Sequence, residues 1–105
     1  MQDKKQILLK IKNSIRLDDP DAEFFLFGSR ARGDSKKTSD WDILILINNN
    51  EKTYLTEDKF RSSLYEIELE IGQIISTMVY SKDYWAKKLK YSPLYKNVTK
   101  EGIRL

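Results

Sequence analysis

Cysteine and histidine are both absent from the chain. Without cysteine there are no disulfides, no zinc–thiolate centres and no thiol nucleophile. Without histidine the commonest general base goes, and with it the Ser-His-Asp and Cys-His constellations and most zinc sites. Any metal must be held by oxygen ligands, which favours magnesium, manganese or calcium. Glycine and proline are also scarce, with four and two residues respectively, so each one marks a place where the backbone is being told something. No apolar run approaches the roughly 18–20 residues that span a bilayer. The opening MQDKKQILLKIKN has neither the apolar core nor the small-residue cleavage site of a secretory leader. The expectation is a cytoplasmic protein.

What is present has the balance of a globular chain rather than a disordered one: 40% hydrophobic and 33% charged over 105 residues, a length that fits one domain, residues 1–105. The formal charge of +3 is far too small for a dedicated nucleic-acid arm, and the aromatic residues are not interleaved with the cations as a base-stacking platform requires. Nucleic acid is therefore set aside as a partner.

Ile7, Leu8, Ile11 and Ile15 fall on one helical face and predict a first amphipathic helix over 2–17. Asp18-Asp19-Pro20-Asp21 breaks it. Glu23 to Phe27, EFFLF, has strand length, and Gly28-Ser29 ends it. A short helix follows from Ser29 to Arg32, stopped by Gly33-Asp34, and SKKTS makes a polar loop. Asp40 to Ile47 is a second strand, and asparagines at 48–50 signal a turn. Phe60, Leu64, Ile67 and Ile71 repeat at helical spacing from Thr56, with Gly72 as the C-terminal cap. Gln73 to Tyr80 is a β-branched third strand. A helix over 82–91 carries Trp85 and Leu89 inward, and Ser92-Pro93 opens a last helix that ends at Glu101-Gly102. This order predicts an α/β (α+β) fold, a small mixed sheet with helices packed on it.

Chemistry concentrates in FGSRARGDSKKTSDWDILILI, Phe27 to Ile47. On a strand, Asp40 and Asp42 point to one side with Leu44 and Leu46, while Trp41, Ile43, Ile45 and Ile47 point to the other. Carboxylates so placed are roughly 6–7 Å apart at Cα, within reach of one divalent ion or an adjacent pair. Alone, a D-x-D is more often a solvated strand edge. Here it follows a strand that delivers Gly28-Ser29 into a helix start, where backbone N–H groups and a hydroxyl can cradle phosphate, with Arg30, Arg32, Lys36 and Lys37 adding positive charge. Neither a Walker A loop nor a GxGxxG turn is present. Arg32-Gly33-Asp34 and Asn97-Val98-Thr99 spell integrin and glycosylation motifs, but both need an exported protein and carry no weight.

Gly28-Ser29, Ala31-Arg32-Gly33-Asp34 and Ser39-Asp40-Trp41-Asp42 resemble the GSxARG…SDxD signature of the minimal nucleotidyltransferases in the DNA polymerase β superfamily. The resemblance implies the polymerase β-like fold and Mg²⁺-dependent transfer of a nucleoside monophosphate, AMP from ATP foremost, to a hydroxyl with release of pyrophosphate. It assigns Gly28 and Ser29 to the phosphates, Asp40 and Asp42 to the metal and to catalysis, and Arg32 to phosphate contact or local structure. It also implies a helical HEPN-type partner protein, with this chain as the antitoxin of a toxin–antitoxin pair; a second copy of the chain is a further candidate partner. Members of the family place a third carboxylate on the strand after the metal pair. Here that strand carries no acid, and Gln73 is expected at the position, with Glu68 and Glu70 on the surface of the preceding helix. The alternative to an active enzyme is a weakened relative that works by binding its partner.

Overall fold

The structure is a computed structural model, and it describes residues 3–48 and 54–105. Among the described residues five helices and four strands follow the order α1 (Lys4–Asp18), β1 (Glu23–Phe27), α2 (Ser29–Arg32), β2 (Trp41–Ile47), α3 (Tyr54–Ile71), β3 (Ile75–Ser81), α4 (Lys82–Lys87), α5 (Pro93–Glu101) and β4 (Ile103–Arg104). The expected α+β arrangement is what forms. Helix α1 begins with a capping box: Asp3 Oδ1 accepts from the Gln6 N–H at 2.9 Å and Gln6 Oε1 accepts from the Asp3 N–H at 3.1 Å. Its Ile7, Ile11 and Ile15 are buried, and Asp19-Pro20 ends it. The asparagine turn lies, beyond Asn48, outside the described residues.

The sheet order is β3-β2-β1-β4. Strand β2 runs antiparallel to β1 and parallel to β3, which requires the long crossover through α3. Every β2 side chain from Ile43 to Ile47 is buried, because both faces of the strand are covered. Trp41, Ile43, Ile45 and Ile47 pack against Ile7, Ile11 and Ile15 of α1 and Phe60 and Leu64 of α3. On the opposite face Leu44 and Leu46 meet Trp85 of α4 and Val98 of α5, with Phe25, Phe27 and Tyr95 at the margin. Burying such side chains stabilises the fold by about 1.5–3 kcal/mol each, which is why two small cores suffice. Among the described residues no helix is long and apolar enough to cross a membrane.

Three elements differ from the sequence reading: β3 begins at Ile75 instead of Gln73, and α4 and β4 depart further. Helix α4 stops at Lys87 instead of running to 91, because the Lys88 and Leu89 N–H groups both return to Tyr84 O and the chain turns before Ser92 recaps at Pro93. Leu89 still packs against the second core. Strand β4 had no signal at all: two residues cannot show a period. It forms because α5 delivers the chain to the open edge of β1, where the Leu105 N–H donates to Phe24 O at 3.0 Å and Arg104 pairs with Glu23 at 3.0 Å.

Candidate active site

The antiparallel register sets Phe27 opposite Asp42, so the turn that leaves β1 comes to rest beside the acid that enters β2. Gly28 has φ +75° and ψ −160°, a conformation that a side chain resists. It also has no room for one: a Cβ built there would overlap the Asp42 Oδ2. The Asp42 carboxylate therefore lies directly over the bare Cα of Gly28. From there α2 makes a single turn, with the Ala31 and Arg32 N–H groups donating to Gly28 O, and Gly33 (φ +86°) closes it in the left-handed region. Ser29 opens that turn, directly after the glycine that Asp42 overlies.

Asp40 is exposed and Asp42 half-buried. Burial pushes the Asp42 carboxyl above its ordinary range; the neighbouring Asp40 charge adds to this, Arg32 opposes it, and Glu101 contributes further in the upward direction. An anion destabilised by its neighbours is one that a cation would relieve. Among the described residues no group of three or more Asp, Glu, His or Cys side chains could hold a metal ion. Two carboxylates alone fit magnesium, which commonly takes one or two from the protein and the remainder from water and substrate phosphates.

Glu101 is the residue that sequence reasoning missed. At the end of α5, its Oε1 accepts from the Gly28 N–H at 3.2 Å, and both of its oxygens accept from Arg32 Nη1 at 3.1 and 3.2 Å. Arg32 Nε donates to Asp34 at 3.2 Å, and these two acids, Asp34 first, hold the Arg32 guanidinium above its ordinary range. The sequence offered Glu101 only as a helix end, and a separation of 69 residues from Arg32 leaves no spacing to read.

Arg30 and Gln73 stand elsewhere than their sequence positions imply. The Arg30 guanidinium turns away from the turn at Gly28 and is spent on backbone carbonyls of the following loop. Gln73 precedes β3, and its amide oxygen accepts from Trp41 Nε1 at 2.7 Å, on the face of β2 opposite Asp42. It is thus not the position that a third acid would take. The parallel register puts Ser76 beside Asp42, and there too no carboxylate is found. Glu68 caps the incoming strand, accepting from the Ile75 N–H at 2.7 Å, and Glu70 pairs with Lys10.

The nucleotidyltransferase domain family model matches residues 8–105. Over 80 residues the chain is 34% identical to the "putative protein adenylyltransferase" of Methanocaldococcus jannaschii, an alignment that covers 76% of this chain and 73% of the relative. Its fold is similar to that of a toxin–antitoxin complex crystallised with AMP-PNP, with a TM-score of 0.61 and 20% identity over 91% of this chain and 69% of that one. A mutant of the toxin–antitoxin pair MntA–HpeT superposes with a TM-score of 0.60 at 20% identity, covering 93% of this chain and 70% of that one. A "putative minimal nucleotidyltransferase" is similar over 99% of this chain and 97% of its own, with a TM-score of 0.61 and 22% identity. At such identities the structural likeness is one of fold. Sequence match and fold agree: this chain belongs to the nucleotidyltransferase domain family and is a transferase enzyme.

Proposed function

We propose that the chain transfers AMP from ATP to a hydroxyl group on a partner protein, with Mg²⁺ held by Asp40 and Asp42. The observation that carries this reading is the seating of Asp42 over Gly28, which makes the carboxylate pair and the Gly-Ser turn one continuous surface. Gly28 and Ser29 receive the β- and γ-phosphates there, since the missing side chain at 28 lets an oxyanion approach the backbone. Arg32 exchanges part of its pairing with Glu101 and Asp34 for phosphate. In the reaction the acceptor oxygen bonds to the α-phosphorus, the bond to the bridging oxygen of pyrophosphate breaks, and the hydroxyl proton passes to solvent. A divalent cation at the acids supplies charge neutralisation to the phosphates and needs no histidine or cysteine beside it. The protein's own share is to hold the reacting groups in place and to present fixed charge.

The choice of AMP and of a protein acceptor is supported by the name of the M. jannaschii relative, and the toxin–antitoxin neighbours support a protein partner with this chain as antitoxin; that the partner is a helical HEPN-type protein rests on the resemblance of the Gly28–Asp42 signature. Residues 1–105 are taken as one nucleotidyltransferase domain. A second reading, a module that neutralises its partner by contact, is favoured by Ser76 standing where an acid would complete the metal site.

The test is incubation of the chain with Mg²⁺, α-labelled ATP and the product of the neighbouring gene. Label on the partner that falls roughly 10²-fold or more in Asp40→Asn and Asp42→Asn supports transfer. A tight complex by gel filtration with no label in the wild type supports the contact module instead.

A further inference from the structure

Arg30 and Arg32 leave the same turn of helix in different directions, and only Arg32 remains near Gly28. The Arg30 guanidinium donates to Ser39 O twice, from Nη2 at 2.9 Å and Nε at 3.2 Å. It reaches Lys36 O at 3.2 Å and Lys37 O at 3.4 Å as well. Its Nη2 also donates to Gln73 Oε1 at 3.0 Å, and its charge rests over the Trp41 ring, 4.2 Å from the centroid. Gln73 Oε1 takes a second donor, Trp41 Nε1, at 2.7 Å. Trp41 is fully buried, and its own N–H donates to Ile74 O at 2.9 Å.

These contacts surround one short piece of backbone. Ser39 O belongs to the peptide that enters Asp40, so two N–H groups on that oxygen fix the plane from which the Asp40 side chain departs. Trp41 sits between the two acids, and its ring is gripped on the face by a cation and at the edge by an amide. The Nε–H and the two Nη2 N–H groups share the carbonyls and the amide among them, while the guanidinium plane lies over the ring. Gln73 completes the set as the acceptor that ties the guanidinium to the edge of the ring.

We propose that Arg30 and Gln73 are positioning residues that fix Asp40 and Asp42 from behind the strand, in the way outer partners orient the ligands of a metal centre. The inference rests on the reading that Asp40 and Asp42 hold the divalent cation. It assigns Arg30 no contact with nucleotide or metal, and it gives Gln73 a purpose independent of any third acid.

The experiment measures Mn²⁺ binding to the full chain directly, by the loss of the free-ion electron paramagnetic resonance signal, with no nucleotide and no turnover. Arg30→Met and Gln73→Leu are expected to weaken Mn²⁺ binding about tenfold. Far-UV circular dichroism is expected to stay unchanged at the assay temperature. Gln73→Glu, which keeps acceptor oxygens for both donors, is expected to bind Mn²⁺ nearly as the wild type does. Should Arg30→Met fail to fold, the pair Gln73→Leu and Gln73→Glu carries the test alone. Wild-type Mn²⁺ affinity in Gln73→Leu, with affinity lost in Asp42→Asn, overturns the positioning role while leaving the metal pair intact. Undiminished affinity in Asp40→Asn and Asp42→Asn overturns the metal site itself and the positioning role with it.

Discussion

The stretch Asp40-Trp41-Asp42, which leads into and opens β2, is treated in opposite ways on its two sides. Behind the strand Trp41 is fully buried, packed beneath α1 and α3 and hydrogen-bonded to Gln73. In front, Asp40 is exposed and Asp42 is half-buried above a glycine, its carboxyl pushed upward by burial and by the charge of its neighbour. On one side the Trp41 ring N–H and the Arg30 guanidinium find partners within the protein; the other holds like charge that Arg32 only partly offsets. A rigid back and an electrostatically unsatisfied front are what a site needs if its affinity is to go to a ligand instead of to the fold.

Gly28→Ala should damage the front most. The methyl would overlap the Asp42 carboxylate, and the residue would be held at positive φ at a cost of about 1–3 kcal/mol. Chemical denaturation should register that loss, and nucleotide affinity should fall by an order of magnitude or more. A Gly28→Ala protein that binds ATP like the wild type would show that the front is not built around this approach.

The next effect is opposite in sign. Because the folded-state pKa of Asp42 is raised, the folded protein holds that proton more tightly than the unfolded chain does. This contribution to stability is fully present below the unfolded carboxylate pKa, about 4, and is lost as the pH rises through the folded value. Without metal, Asp42→Asn should therefore melt a few degrees higher than the wild type at pH 7, and the gap should close on acidification below pH 4. Mg²⁺ with ATP should stabilise the wild type and not the variant. A variant that melts lower at pH 7 would mean the front is satisfied after all.

The smallest change is expected from Lys36→Ala and Lys37→Ala. Both side chains are exposed, and the contacts that Arg30 makes with these residues are with their carbonyls. Isothermal titration with an ATP analogue should place both variants within about threefold of the wild type at physiological salt, where exposed charges are screened. A larger loss would extend the front along the loop.

Much of this was legible in the chain. The spacing of Ile7, Ile11 and Ile15 marked α1, and EFFLF coincides with β1 to the residue. Alternation along Trp41–Ile47 separated the acids from the aromatic side. The packing of Arg30 was not legible, since a guanidinium in a basic loop looks the same whether it faces phosphate or the carbonyls of its own chain. Gln73 was misplaced because a strand expected from 73 begins at Ile75. Gln73 lies in the bend before the strand, three positions short of Ser76, which pairs beside Asp42. Glu101 and β4 depend on where α5 delivers the chain, which is a property of packing and leaves no local pattern.

The bond from Glu101 to the Gly28 N–H joins positions 73 residues apart. During synthesis from the N-terminus, the Gly-Ser turn is made long before the carboxylate that steadies it. Contacts of such separation form late in folding as well, since the chain between them must first be ordered. The turn thus spends its early life without a partner for the Gly28 N–H and with Arg32 held by Asp34 alone, and reaches its finished shape only when α5 has docked. Completion of the Gly28 turn and completion of the second core are, in this chain, the same event.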